Sequence, residues 1–389
     1  MLFYKFIIFI IMISYKYKLY KNKNVRFLDA MLRESAFVWN HALALQKRYY
    51  TLYKTFIPSA KLQKHFAKRI KRNLLHSQTV QEIIQRLDTS YQRFFKRIAK
   101  RPPKFKKAKD FASFAFKQGG FALNGNELII NRIRKRFRFS YSREYKGNIK
   151  MLRIKRSHLG EYYVYVITDC QPTPYGKSHN GASIGIDFGL KTYMTLSDGE
   201  RIDNPQFLKR SIKDIRKASR RLSKCQKGSN HREQSRLSYC RLQEKLVNKR
   251  TDFMWKLAHD LCRNYDYIFI EDLNLNGMMK MWGRKVSDLS HGTFINILEQ
   301  VANKYNVVVH KIDRWYPSSK LCDCGYKNDK LTLRDREWIC PQCGQIHDRD
   351  VNAAKNILRK GISELVSNGK TDKSSDLGQL CLSQESHVL

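Results

Sequence analysis

The sequence predicts an α/β protein built in two parts, and three observations predict it. The hydrophobic pattern has a helical period over most of the first hundred residues and then alternates, as it does in strands. The stretch 171–180, with two prolines and a glycine, has linker composition. Beyond it, short apolar runs alternate with long amphipathic helical patterns. We therefore expect a β-rich first part with inserted helices, and a second part in which strands and helices alternate.

The first part is predicted to be a small antiparallel β-barrel or sheet. Tyr15 to Tyr20 alternates aromatic and basic side chains, which is the period of a strand with one packed face. Three helices follow at about 27–53, 62–75 and 77–100, and Pro102 and Pro103 prevent the last from continuing. Further alternating runs lie at Glu127–Ile130, Arg136–Ser140, Ile149–Lys155 and Tyr162–Thr168. We expect the first strand to join these across the helical insertion.

The second part is predicted from its apolar runs and helical stripes. Two strands, Ser183–Asp187 and Thr192–Leu196, precede an Asp198-Gly199 turn that leads to a third. Then come two long helices around 208–222 and 234–264, a strand ending at Glu271, a helix at 294–305 and a strand at 306–312. The Met-, Gly- and Trp-rich stretch 274–283 is expected to be a mobile loop.

The charge of the chain points to a polyanionic partner. Lys and Arg number 75 against 34 Asp and Glu, a net charge of +41, and 21 Tyr and 21 Phe accompany them. So large an excess repels itself in a compact protein without a polyanion, and aromatic faces beside cations are what unpaired bases stack on. A generic basic surface of ribosomal or chromatin type is the plainer interpretation. It does not account for the cysteines and acids described next.

Four of the nine cysteines have the spacing of a metal site. Cys322, Cys324, Cys340 and Cys343 form two pairs separated by a hairpin-length insert, the usual layout of a zinc ribbon with four thiolates around one Zn²⁺. Four scattered structural thiols are the alternative. Because the cysteine number is odd and five members are dispersed, we expect a reduced, cytoplasmic protein and no disulfide framework.

Three acids stand where apolar elements begin or end. Asp187 and Glu271 each close a β-type run, and a buried strand offers such a carboxylate at the edge of a sheet. The run from Asp348 to Ala354 opens a helix, where the helix dipole favours an acid in the first turn. Each acid is unremarkable alone, and they predict a site only if they converge.

The motifs GIDFGLKTYMTLSDG, EDLNLNGM, RWYPSSK and CPQCG followed by DRDVNAAKNIL carry a resemblance. Together they resemble the TnpB (OrfB) proteins of bacterial insertion sequences, relatives of the type V CRISPR effector nucleases, over residues from about 15 to 361. The resemblance implies an RNase H-like (RuvC) nuclease domain with an inserted zinc ribbon. By motif match Asp187, Glu271 and Asp350 take its three acid positions, with Asp348 as the rival for the third.

The implied activity is RNA-guided cleavage of DNA, with guide RNA and target DNA as partners. Phosphodiester hydrolysis by two Mg²⁺ ions requires clustered oxygen ligands, which Asp187, Glu271 and Asp350 would supply without any of them acting as a general base. The first cysteine pair departs from the family, since one residue, Asp323, separates the cysteines where relatives have two. We expect a weakened zinc site or the replacement of one ligand, for which His347 is a candidate.

The resemblance also assigns domains. The wedge β-barrel is expected at 12–25 and 101–170, the helical recognition insertion at 26–100 and a linker at 171–180. The nuclease domain follows at 181–361 with its zinc ribbon at 319–347, and 362–389 is expected to be a disordered tail. Residues 1–11 are expected to be a mis-annotated extension before Met12, since the apolar run is too short for a membrane span and no cleavage site follows.

Two other functions fit part of the sequence. A strand-transfer transposase would use a similar acid triad but join DNA ends. A DNA-binding regulator that does not cleave would follow if the cysteine site were degenerate.

Overall fold

The structure, a computed structural model, describes residues 12–69, 74–170, 179–332 and 335–367. They belong to two compact units, one ending at residue 172 and the other starting at 173. The predicted extension 1–11, most of the linker and the tail from 368 onward lie outside the described residues. Within those residues no helix has the length and apolar character to cross a bilayer.

The first unit contains two antiparallel sheets. Its strands are β1 (Ile13–Lys18), β2 (Ser113–Phe116), β3 (Phe121–Asn124), β4 (Glu127–Ile130), β5 (Lys135–Arg138), β6 (Ile149–Arg156) and β7 (Tyr162–Thr168). The sheet orders are β1-β7-β6-β2 and β3-β4-β5. The first strand does join across the insertion, because Ile13 pairs with Thr168. Instead of a single closed barrel, however, the sheets meet at one corner, where Leu19 pairs with Phe139.

Three helices are inserted between the first two strands of this unit. They are α1 (Val25–Tyr53), α2 (Ser59–Arg69) and α3 (Ser77–Phe95). Their apolar stripes pack into one core with the sheets, around Leu28, Ile84 and Phe114. The last helix is five residues shorter than predicted, and Arg97 just beyond it takes a left-handed φ of 57°.

The second unit is organised on a mixed five-stranded sheet. Its strands are β8 (Ser183–Asp187), β9 (Thr192–Leu196), β10 (Arg201–Asp203), β11 (Tyr267–Glu271) and β12 (Val308–Ile312), in the order β10-β9-β8-β11-β12. The last two are parallel to each other, and β11 is parallel to β8. The apolar side chains of Ile184–Ile186 and Ile268–Ile270 are all buried. This is the pattern of strands that are covered on both faces.

Helices cover both faces of this sheet. They are α4 (Phe207–Lys224), α5 (Asn230–Asn264), α6 (Leu275–Leu289), α7 (His291–Tyr305) and α8 (Arg349–Ser367). One core contains Met254, Ile268 and Phe294, and another contains Phe269 and Ile357. A hairpin of β13 (Glu337–Ile339) and β14 (Ile346–Asp348) carries the second cysteine pair and leads into α8.

Two expectations for this unit are wrong. The stretch 274–283 is not a loop but the start of α6, because the Asn274 side chain caps the helix by accepting from the Gly277 N–H at 3.1 Å. The disordered tail does not begin at 362, since α8 continues to Ser367 with Ile362 and Leu365 buried. These two side chains extend the apolar stripe of α8 onto Phe269.

Helix α8 and the sheet approach each other closely at Gly185. A methyl group added there would lie 2.1 Å from the Ala354 carbonyl oxygen and 2.8 Å from the Leu358 nitrogen. At Gly361 an added methyl group would lie 2.0 Å from the Phe269 ring. The two glycines therefore let α8 lie directly against β8 and β11.

We predict that Gly185→Ala destabilises the second unit by about 1–3 kcal/mol, as overpacking of a close contact does. Thermal unfolding of the full chain measures this. Gly283→Ala in α6 is the matched control, because nothing lies within 4 Å of a methyl group there. The control should be neutral or slightly stabilising, since Ala favours a helix over Gly by about 1 kcal/mol. Equal melting temperatures for the two variants would contradict the close approach.

Candidate active site

Two of the predicted acids end neighbouring parallel strands. Asp187 is the last residue of β8 and Glu271 the last of β11, and the strands pair in register from Tyr267 with Ser183 to Ile270 with Ile186. Because the carboxyl ends of parallel strands meet at one edge of the sheet, the two side chains emerge there together. Both side chains are half-buried.

The third acid reaches the same place from α8. Asp350 lies in the first turn of that helix, which packs on β8 through Gly185. Asp187, Glu271 and Asp350 all line one open cleft of about 1270 Å³. The cleft is also lined by the cations Lys191, Lys209, Arg216, Lys320, Lys327, Arg336 and Arg349. The structure thus brings together three acids that are far apart in the sequence, inside a cationic rim.

The surroundings of Asp187 and Glu271 raise the pKa values of both carboxyl groups. Burial, then the charges of Asp350 and Glu271, raise the pKa of Asp187 to about 7. Burial, and then the neighbouring Asp272, raise the pKa of Glu271 to about 7. Near neutral pH these two groups are therefore only partly ionised, and an additional cation would favour their charged forms.

The two candidates for the third acid position have different surroundings. Asp350 lines the cleft and pairs with Arg336 at 3.3 Å. Asp348 instead caps α8 by accepting from the Val351 N–H at 3.0 Å, and it pairs with Arg201 at 2.6 Å. Burial alone would raise the pKa of Asp348, but these two donors outweigh burial and lower it. Of the two acids, Asp350 is therefore the one that faces the cleft.

The acids are less tightly gathered than the cysteines. Over the described ranges, the four cysteines are the one group of three or more His, Cys, Asp or Glu side chains placed to hold a metal ion. The carboxylates line the cleft without closing on one point, as expected when like charges repel and Arg336 draws Asp350 to itself. Sequence reasoning missed Arg336, whose only signal in the sequence is its charge.

The cysteine sulfurs converge in spite of the shortened first pair. All four Sγ atoms lie within 4.8 Å of one another. Cys322 and Cys343 are 3.5 Å apart, and Cys324 and Cys340 are 3.6 Å apart. Burial, with smaller effects from hydrogen bonds among the thiols, raises the pKa of Cys322 to about 12. Four thiolates would need a cation among them, so the donor set fits one.

The missing residue of the first pair is absorbed by a tighter turn. The Cys340 N–H donates to the Gln345 carbonyl at 2.9 Å, whereas the Cys322 N–H donates one residue earlier, to Tyr326 at 2.9 Å. Each turn keeps a glycine of positive φ, 90° at Gly325 and 74° at Gly344. The expected loss of one ligand from this pair is therefore not seen.

His347 lies beside the cysteines without replacing one. Its Nε2 atom is 3.1 Å from the Cys322 Sγ atom, and its ring stacks on Trp338 with centroids 4.5 Å apart. It is buried in the small core of the hairpin. The imidazole therefore stands next to the sulfur cluster as a hydrogen-bonding neighbour.

Two asparagines connect α8 to the chain that enters the first cysteine pair. The Asn352 Nδ2 atom donates to the Leu321 carbonyl at 2.8 Å, and the Asn356 Nδ2 atom donates to the Ser318 carbonyl at 2.8 Å. Both side chains are buried on α8, shortly after Asp350. The run DVNAAKN thus sets the position of the acid and of the chain that enters the cysteines. Sequence reasoning noted this run as a motif but not this role.

Comparison with known proteins places the chain among relatives. Residues 166–281 match the OrfB_IS605 family model, described as "Probable transposase", and residues 291–357 match a Cas12f1-like TNB domain. A Streptomyces pristinaespiralis protein named "Putative RNA-guided DNA endonuclease" is 32% identical over 289 residues, covering 73% of this chain and 71% of that protein. The Escherichia coli (strain K12) protein "Putative RNA-guided DNA endonuclease InsQ" is 27% identical, covering 86% and 89%.

A solved structure shares the fold. The protein in "Cryo-EM structure of the Cas12f1-sgRNA-target DNA complex" superposes with a TM-score of 0.57 at 10% identity. The match covers 89% of this chain and 98% of that one. The predicted α/β class is thereby confirmed as a fold of the kind that Cas12f1 has. On this likeness, the family models and the Streptomyces relative, the chain belongs to the TnpB (OrfB) family of insertion-sequence proteins.

Proposed function

We infer that this protein is a transposon-encoded, RNA-guided DNA endonuclease, of the group often labelled transposase. The observation that carries this function is the cleft that Asp187, Glu271 and Asp350 line together with lysines and arginines. Relatives named RNA-guided DNA endonucleases support the same activity. A net charge of +41 fits a protein that lies against both a guide RNA and a target DNA.

We assign the second unit, at 181–361, to an RNase H-like (RuvC) nuclease domain. Its mixed sheet, with acids at the ends of β8 and β11 and a third acid on α8, supports this assignment. The cysteine hairpin supports a zinc ribbon at 319–347. In the first unit, the sheets support a wedge domain at 12–25 and 101–170, and α1, α2 and α3 support a recognition insertion at 26–100.

The acid set fits divalent cations of the hard type, and we propose two Mg²⁺ ions. All three side chains offer oxygen ligands, and Asp187 and Glu271 lack compensating positive charge. Bound in pairs, such ions activate water and stabilise the attacking and leaving oxygens of a phosphodiester. Asp187, whose pKa the charges of Asp350 and Glu271 both raise, would contribute to holding both ions, together with Glu271 and Asp350. The three carboxylates are ligands and not general bases.

The cationic rim positions the substrate strand. Lys191, Lys320 and Lys327 line the cleft and offer contacts to phosphate oxygens. Such contacts carry little sequence information, so the choice of target falls to base pairing with the guide RNA. The protein then holds the backbone, and the RNA reads the sequence.

The four cysteines would hold one structural Zn²⁺. Four thiolates close the coordination sphere, which leaves no position for a substrate. The hairpin has a small core of its own, centred on Trp338, so a metal would stabilise it. Through Arg336 and the two asparagines of α8, the folded hairpin adjoins the acid cleft.

DNA cleavage by the protein with its copurified RNA tests the acid site. In Mg²⁺, Asp187→Ala, Glu271→Ala and Asp350→Asn should each lower plasmid cleavage by roughly 10³-fold or more, because several kcal/mol of transition-state stabilisation are lost. Asp348→Asn is the matched control, since Asn also caps a helix, and it should cleave nearly as the wild type does.

The products separate this function from its rivals. Joined DNA ends would identify a strand-transfer transposase. A wild-type complex that binds its target and leaves it intact would identify a regulator that does not cleave. Equal loss in Asp348→Asn and Asp350→Asn would overturn the choice of Asp350.

The stability of the metal-free protein should depend on pH. The folded pKa values of Asp187 and Glu271, about 7, lie above the ordinary values of 3.8 and 4.5. The folded state therefore binds more protons, and metal-free protein should lose stability as the pH rises from about 4 through 7. Thermal melts in a chelator at pH 5.5 and pH 8 measure this loss. Asp187→Asn should reduce it, and Mg²⁺ should reverse it in the wild type but less in the variant.

DNA cleavage should increase as the pH rises, whereas the stability of the metal-free protein should decrease. Protons compete with metal for the carboxylates, so at limiting Mg²⁺ cleavage should fall below about pH 7, and more Mg²⁺ should move the midpoint to lower pH. A midpoint that does not move with Mg²⁺ concentration would argue against metal binding by these groups.

The zinc content of the purified protein tests the cysteine cluster. Purified protein should contain about one Zn²⁺ per chain, and Cys340→Ser should reduce this to near zero and lower the melting temperature. Cys225→Ser is the control, because Cys225 directly follows α4 and is not part of the cluster. Metal analysis and thermal melts are the measurements. Full zinc content in Cys340→Ser would show that the zinc is bound elsewhere.

A further inference from the structure

Trp315 is the most exposed large apolar side chain in the part of the chain that the structure describes. It is 82% exposed, whereas Trp39 and Trp338 are buried. Tryptophan loses a large apolar surface when it is covered, so an indole held in water favours a partner.

The position of Trp315 places it at the same edge of the sheet as the acids. It follows the end of β12 by three residues, and the last residue of β12, Ile312, pairs in parallel register with Glu271. The residues directly after it, Tyr316 to Lys320, line the acid cleft. Trp315 therefore directly precedes the segment that lines the cleft, and it follows the end of β12.

The main chain at Trp315 is held while its side chain is not. The Asp313 Oδ1 atom accepts from the Trp315 N–H at 2.7 Å, and the Asp313 carbonyl accepts from the Tyr316 N–H at 3.2 Å. Arg314 pairs with Asp272, the residue after Glu271. A rigid turn tied to the strand end thus presents an unpacked aromatic face, which costs little ordering when a ligand covers it.

The surroundings select the kind of ligand. Lys320 lines the adjoining cleft, as do Lys327 and Arg336, which pair with Asp329 and Asp350. The lining also includes Lys191, Lys209, Arg216 and Arg349, so its cations outnumber its acids and favour a negatively charged partner. Aromatic faces beside a cationic groove bind single-stranded nucleic acid, because every base has a face that can stack and every phosphate a charge. A base within a duplex is already stacked, so an unpaired base is the ligand that fits.

We propose that Trp315 stacks on an unpaired base of the DNA strand that lies in the acid cleft, and that this contact determines which phosphodiester reaches the acids. Trp315 is then a positioning residue, in contact with the substrate but not with the reacting atoms. The inference rests on the proposed nuclease function. It adds a residue that sets the site of cleavage.

The test compares Trp315→Ala and Trp315→Phe in the full chain with its copurified RNA. Val308→Ala is the control, because Val308 is also exposed but lies at the opposite end of β12. Binding of single-stranded DNA is measured by anisotropy in the Asp187→Ala background, where no cleavage occurs. Trp315→Ala should weaken this binding by roughly 5- to 150-fold, the effect of one lost base stack. Phe should restore most of the binding, since it keeps an aromatic face.

Cleavage supplies the second measurement. Trp315→Ala should raise KM more than it lowers kcat, and its cuts should spread over neighbouring phosphodiesters. The melting temperature should stay that of the wild type, because the exposed side chain packs against little. Binding and cut positions unchanged in Trp315→Ala would overturn the proposal. So would a change of oligomeric state in light scattering without a change in DNA binding, which would make Trp315 a protein contact.

The two proposals fail in different ways. If the wild type binds single-stranded DNA through Trp315 but cuts nothing, stacking holds and the nuclease function fails. If the wild type cuts, and Trp315→Ala cuts the same bonds with the same KM, the nuclease function holds and the positioning role fails.

Discussion

The contact of α8 with the sheet is the constraint on which the second unit depends. At Gly185 the helix backbone lies so close to β8 that any side chain would collide with the Ala354 carbonyl oxygen. This contact brings Asp350, one turn before Ala354, to the strand end that carries Asp187. A helix set further from the sheet would leave the third acid away from the other two. Gly185 thus contributes to the site by letting α8 lie close to β8.

The acid cleft trades stability for chemistry. Burial and like charges raise the pKa values of Asp187 and Glu271 to about 7, so folding places these groups where ionisation is costly. Around them the same chain provides lysines and arginines that line the cleft. A site short of positive charge at its centre and rich in it at the rim suits divalent ions in the middle and a nucleic acid across them.

The cysteine hairpin is linked to this site through α8. Its second strand leads directly into the helix, and Asn352 and Asn356 hold the chain that enters the first cysteine pair. Arg336, just before β13, pairs with Asp350. The hairpin has few apolar residues to bury, so its order depends on the sulfur cluster and on these polar contacts. Loosening the cluster would therefore disturb the position of the third acid.

The sequence by itself determined the local elements and the chemistry of the side chains. Apolar runs ending in Asp187 and Glu271, and the helix that starts near Asp350, follow from periodicity, and the cysteine pairs follow from spacing. Only the tertiary structure decided the rest. Asp348 became a cap and Asp350 a cleft residue, Arg336 reached the acids, and the glycine-containing stretch after Asn274 became a helix. These outcomes depend on packing between distant segments, and a local pattern carries no record of which segments meet.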